Sequence, residues 1–202
     1  MVFLIILIIL SGMMILQNLS KLFRRNKLLF VTLCQLSYSI ILFIILRVPY
    51  TFKVQFKGFV PFLLVFGIMV FLGGFLGAEQ IRFYKKISST EIILIGILLP
   101  ISEEIIFRGV ILSFLPNIFL NALIFSCIHL VNAISKMERL SPFNFVYRFI
   151  VGYIFAYSVM NTQSLFCGIL SHVMNNSVGL LLLSRFEHVT KESTDTTEHK
   201  DS

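Results

Sequence analysis

Apolar residues gather into seven runs separated by short polar or basic stretches. The runs cover about 2–18, 28–46, 59–77, 91–115, 118–134, 143–160 and 164–184. A helix of ~20 apolar residues crosses a bilayer, and a helix satisfies its own backbone hydrogen bonds in lipid. The pattern therefore predicts an all-α, polytopic membrane helix bundle of about seven spans. The runs are unbroken instead of alternating with period two, which argues against an outer-membrane barrel. The third run holds Gly67, Gly73, Gly74 and Gly77, small residues that would let helices approach closely.

Composition sharpens the picture. Of 202 residues, 57% are hydrophobic and only 13% charged, against about 45–50% and about 25% in soluble domains. A water-soluble globular enzyme, a disordered regulator and a disulfide scaffold are excluded. The three cysteines, Cys34, Cys127 and Cys167, lie inside apolar runs without CxxC spacing and read as packing residues.

The net charge of +7 marks loop topology, not nucleic-acid binding. Basic residues concentrate in the 21–27, 78–90 and 135–142 loops and the tail, with Arg47, Lys53 and Lys57 as exceptions in the 47–58 loop. This places the N-terminus outside and the C-terminus in the cytoplasm of a cell membrane. Met1-Val2-Phe3-Leu4 lacks a positive n-region and no A-x-A site follows, so the first run is expected to stay as a span. Arg148 is expected to snorkel to the inner interface. Residues 185–202 are polar and too poor in apolar side chains to fold on a core.

The fourth run contains Pro100-Ile101-Ser102-Glu103-Glu104-Ile105-Ile106-Phe107-Arg108-Gly109. Glu103 stands 12 residues past Glu91, or ~18 Å along a helix, near mid-membrane. A charge there costs at least ~2.5–3.5 kcal/mol on insertion scales and needs a compensating reason. Glu104 and Arg108 are i,i+4 with the acid first, the favourable order for an ion pair. Glu103 points about 100° away, beside Phe107, and is left as the carboxylate able to serve as general base or acid. Pro100 removes one backbone hydrogen bond and can kink the helix toward water. Ser102 is placed to cap the restarted turn.

Two other runs offer one polar face each. His129 lies in Phe125-Ser126-Cys127-Ile128-His129, and His172 shares a helix face with Asn176 in His172-Val173-Met174-Asn175-Asn176. Taken singly, each has a plain reading: a structural ion pair for Glu104 and Arg108, and interhelical hydrogen bonds for His129, Asn175 and Asn176. Together, a carboxylate, two imidazoles and an amide are what water activation and oxyanion stabilisation require.

At these residues the sequence resembles the CPBP family of intramembrane proteases, also called Abi or CAAX-protease-like, which includes the type II CAAX prenyl proteases. Its motifs EExxxR, FxxxH and HxxxN stand in order as Glu103–Arg108, Phe125–His129 and His172–Asn176. The resemblance covers about residues 90–183, a little under half the chain. It implies N-terminal spans over 1–89, a catalytic core over 90–184 and a cytoplasmic tail over 185–202. It further implies that Glu103 and His129 hold and activate water, that His172 and Asn176 stabilise the oxyanion, and that Arg108 positions or neutralises Glu104.

No cofactor is assigned. Two Glu and two His are also ligand types for zinc, with Glu103, His129 and His172 as ligands if it is held. There is no HExxH, and a metal-free glutamate-activated water fits equally well. The implied partners are the bilayer and a peptide or membrane-protein substrate, in a setting of bacteriocin self-immunity or peptide maturation ahead of true CAAX cleavage. Two other classes compete: a non-catalytic immunity protein acting by binding, and an ion or proton transporter.

Overall fold

The structure, a computed structural model, describes residues 1–19, 22–23, 26–75, 88–134 and 142–181. Among the described residues the chain forms seven helices and no strand. Helix α1 is Val2–Leu19, α2 is Lys27–Ile45 and α3 is Phe59–Phe75. Five consecutive helical stretches, Ser89–Ile93, Leu94–Leu98, Leu99–Glu104, Ile105–Ile111 and Leu112–Phe114, make one rod, α4. Helix α5 is Ile118–Ile134, α6 is Pro142–Thr162 and α7 runs over 166–181.

Each apolar run thus becomes one helix. Three helices, Val2–Leu19, Lys27–Ile45 and Pro142–Thr162, are long and apolar enough to cross a membrane by length and composition. The count of seven spans exceeds this. Phe59–Leu72 and Ile118–Leu130 are apolar but shorter, and α4 carries Glu91, Glu103, Glu104 and Arg108. The basic residues at 21, 24–25, 82, 85–86, 136 and 139, and the tail over 185–202, lie outside the described residues.

Helix α4 is the axis of the fold. It starts with a capping box, in which Ser88 Oγ accepts from the Glu91 backbone at 3.2 Å and Glu91 Oε2 accepts from the Ser88 backbone at 2.8 Å. It then widens twice into π-helical turns, Leu94–Leu98 and Ile105–Ile111. Such turns are rare, and they leave carbonyls that need partners. Pro100 has no N–H for the carbonyls four and five residues earlier. Those carbonyls are served from α7: Ser177 Oγ donates to Gly96 at 3.2 Å and Asn176 Nδ2 to Ile95 at 3.5 Å. In the second wide turn, Asn121 Nδ2 of α5 donates to the Phe107 carbonyl at 2.7 Å. Ser102 does not cap a turn. Its hydroxyl donates back to the Leu99 carbonyl at 2.8 Å, the usual choice of a buried serine within a helix.

Around α4 the packing is apolar. Ile6, Ile9 and Met13 of α1, Ile105, Ile106, Phe107, Val110, Ile111 and Leu112 of α4, Phe125 of α5 and Ala156 and Val159 of α6 share one core. Phe62 of α3 seats against Phe155 and Val151 of α6 in a second cluster. Gly67 does not mediate the close contact expected of it: a Cβ there would meet nothing within 4 Å. Helix α3 docks through its phenylalanines instead, with Phe62 and Phe155 ring centroids 5.6 Å apart. Gly73, Gly74 and Gly77 lie beyond the described side chains. The close approach falls at Gly12, where a Cβ would run into the Tyr38 hydroxyl of α2.

The 46–58 loop is tied to the α6–α7 turn. Thr51 donates its N–H to Gln163 O at 2.9 Å and accepts from Leu165 N at 2.8 Å. The hydroxyls of Ser158 and Ser164 donate to the carbonyls of Lys57 and Lys53.

Candidate active site

The site forms where the middle of α4 meets α5, α6 and α7. Glu104 and Arg108 are fully buried, at 0% exposure each. Arg108 Nη1 donates to Glu104 Oε1 at 3.0 Å, the pairing anticipated from their spacing. Arg108 Nη2 also donates to the Gly152 carbonyl at 3.2 Å. Its guanidinium lies over the Phe125 ring, 4.1 Å from the centroid, with the Phe155 ring at 5.4 Å. A fully desolvated cation is thus held by a carboxylate, a carbonyl and aromatic faces together.

His172 of α7 reaches into the same cluster. Its Nδ1 lies 2.8 Å from Glu104 Oε1. Its Nε2 lies 3.6 Å from Glu103 Oε2. The ring therefore stands between the two carboxylates, hydrogen-bonded to one and facing the other. Glu104 with His172 reproduces the logic of a carboxylate that fixes an imidazole's orientation through one nitrogen and leaves the other toward the reacting side.

Glu103 lines a cavity together with His129 and Phe107. Met13, Met14 and Gln17 of α1 and Ile128 of α5 complete its wall. His129 lies edge-on to Phe125, with ring centroids 4.8 Å apart, and His172 also meets Phe125 edge-on at 5.7 Å. One phenyl ring thus carries Arg108 on its face and stands beside both imidazoles. Arg148 of α6 is half-buried.

The structure thus links Glu103, Glu104, Arg108 and His172 in one cluster through His172 and Glu104, and places His129 on the wall of the cavity that Glu103 also lines. Asn176 stands one turn beyond His172, where it bonds Ile95 O and accepts from Asn175 Nδ2 at 3.1 Å. Among the described residues no three His, Cys, Asp or Glu side chains are grouped so as to hold a metal ion. Both ring nitrogens of His172 are turned to carboxylates. No step of the chemistry proposed below is routed through a metal.

Several residues that shape the site were not read from the sequence. Gly152 and Gly168 leave room for the buried ion pair: a Cβ would lie 3.1 Å from Arg108 Nη2 at the first and 2.9 Å from Glu104 Oε2 at the second. Asn121 and Tyr147 are polar residues in apolar helices, a signal of the same kind that picked out His129. In the α1 wall, Met13 and Met14 match their apolar neighbours and gave no sequence signal, whereas Gln17 is a polar residue within its apolar run.

Residues 86–178 match the family described as Type II CAAX prenyl endopeptidase Rce1-like. This agrees with the resemblance carried by the three motifs, and the family is one of proteases. The match takes in α4, α5 and α6 and α7 as far as Val178, and leaves α1–α3 outside it. No curated protein and no solved structure matches the chain.

Proposed function

We propose that the chain is a multi-pass intramembrane endopeptidase that hydrolyses a peptide bond with a water activated by Glu103 and His129. The observation that carries this reading is the division of labour between adjacent carboxylates. Glu104 is fully buried and committed to Arg108 and His172, whereas Glu103 borders the cavity with His129. Glu103 takes the proton of a water as that water attacks the scissile carbonyl, and later gives it to the leaving amine. His129, which lines the same cavity, holds the water with it. His172, oriented by Glu104, and Asn176 supply donors to the oxyanion. Arg108 neutralises Glu104, so that one negative charge remains for the chemistry.

On this reading residues 90–184 are the catalytic core, 1–89 add further spans, and the tail over 185–202 is cytoplasmic with the N-terminus outside. The substrate is a peptide or membrane protein. Bacteriocin self-immunity or peptide maturation is the setting, ahead of cleavage of a prenylated CAAX end.

The test compares wild type with Glu103→Gln and Glu103→Ala at equal membrane expression. One arm measures protection against bacteriocins. The other measures cleavage of a fluorogenic peptide panel, prenylated and not, by reconstituted protein. Loss of both by the variants is expected. Protection retained by Glu103→Ala would replace this reading with an immunity protein that acts by binding.

A further inference from the structure

Beyond the motif residues, a chain of side-chain amides links α6 to α4 through α7. The Tyr147 hydroxyl of α6 donates to Asn175 Oδ1. Asn175 Nδ2 donates to Asn176 Oδ1 at 3.1 Å, and Asn176 Nδ2 donates to the Ile95 carbonyl at 3.5 Å.

The direction of this chain is dictated from its far end. A backbone carbonyl only accepts, so the Asn176 atom facing Ile95 is Nδ2. Its Oδ1 then faces Asn175, which must present its own Nδ2. Asn175 Oδ1 is left toward α6, and the group that meets it must donate. Tyr147 meets that requirement, held in place by packing against the Phe62, Val151 and Phe155 cluster. The Ile95 carbonyl is available because Pro100, five residues on, has no N–H to offer it.

An asparagine amide has nearly the same shape in its two flipped states, so its polarity is set by the hydrogen-bonding groups around it. Asn176 carries a second hydrogen on Nδ2. It is useful to an oxyanion only if the amide is held with Nδ2 on the α4 side. We infer that Tyr147 is a positioning residue for Asn176: the Ile95 carbonyl sets which way the amide faces, and Tyr147, acting through Asn175, holds the amide in that place. The inference rests on the oxyanion role proposed above for Asn176.

The experiment is a double-mutant cycle of Tyr147→Phe and Asn176→Ala on cleavage by the full-length reconstituted chain, with Asn side-chain amide NMR of detergent-solubilised protein beside it. Asn176→Ala should lower kcat by ~100-fold, the scale of losing one oxyanion donor. Tyr147→Phe should lower kcat by ~10-fold at unchanged KM, because a displaced donor keeps part of its effect. In the Asn176→Ala background Tyr147→Phe should add no further loss. The Asn176 amide signals, identified by their absence in Asn176→Ala, should shift or broaden in Tyr147→Phe. Unmoved Asn176 signals, or losses that simply multiply, overturn the inference. If Glu103→Gln and Asn176→Ala both cleave normally, or wild type cleaves no probe, the peptidase reading fails by itself, and the NMR arm still decides whether Tyr147 sets the amide.

Discussion

Gly168 and Glu104 occupy what would be one volume: a Cβ on Gly168 would lie 2.9 Å from Glu104 Oε2. The carboxylate cannot simply swing aside, because its other oxygen receives Arg108 at 3.0 Å and His172 at 2.8 Å. Gly168→Ala is expected to displace Glu104 at a cost of ~1–3 kcal/mol, the range for overpacking a core. Cleavage should fall further than thermal stability does, because His172 moves with Glu104. Equal activity in Gly168→Ala and wild type would show that Glu104 tolerates the shift.

The Glu104–Arg108 pair gives a second prediction. Breaking a buried pair by removing one partner costs ~3–5 kcal/mol, since the other charge is left uncompensated. Arg108→Met should therefore unfold the protein at lower temperature in detergent. Arg108→Lys should rescue it only in part, because an ammonium does not reproduce the fork that serves both Glu104 and the Gly152 carbonyl. Melting curves of the purified variants check both statements.

Asn121 is expected to matter for stability through one hydrogen bond. Asn121→Leu removes one of two donors to the Phe107 carbonyl, which keeps the Leu112 backbone N–H, so the expected loss is ~0.5–1.5 kcal/mol, the net worth of one hydrogen bond. Asn121→Asp should do no better, since an ionised carboxylate has no proton to offer. Thermal unfolding of the two variants in parallel measures the effect.

Gly58 stands at φ +96°, and a Cβ there would lie 2.8 Å from the Ser158 Cβ. Gly58→Ala therefore combines backbone strain with a clash, for a loss of ~1–3 kcal/mol. The site is built from other helices, so the folded fraction of Gly58→Ala should cleave at the wild-type rate. A lower rate per folded molecule would mean that the 46–58 loop is coupled to the chemistry.

Much of the architecture could be read from sequence because apolar runs in lipid leave few choices. The run at 118–134 is the helix Ile118–Ile134, and the run at 28–46 is Lys27–Ile45. The Glu104–Arg108 contact was legible for the same reason, as i,i+4 spacing forces proximity within one helix. The His172–Glu104 bond was not: it joins residues 68 apart and depends on how α7 leans on α4. The wide turns of α4 were equally hidden. Pro100 announced a disturbance, but its form depends on side chains from α5 and α7. Gly67 misled because small residues permit close packing without requiring it.

The wide turns of α4 have a consequence for how the molecule can be taken apart. Three of their carbonyls, those of Ile95, Gly96 and Phe107, take a donor from outside α4: Asn176, Ser177 and Asn121. A peptide of Ser89–Phe114 alone would lack those partners and relax toward ordinary α-helical turns, moving Glu103 to another face. The helix that carries Glu103, Glu104 and Arg108 owes its shape to its neighbours, so the smallest portable unit is α4 through α7 together.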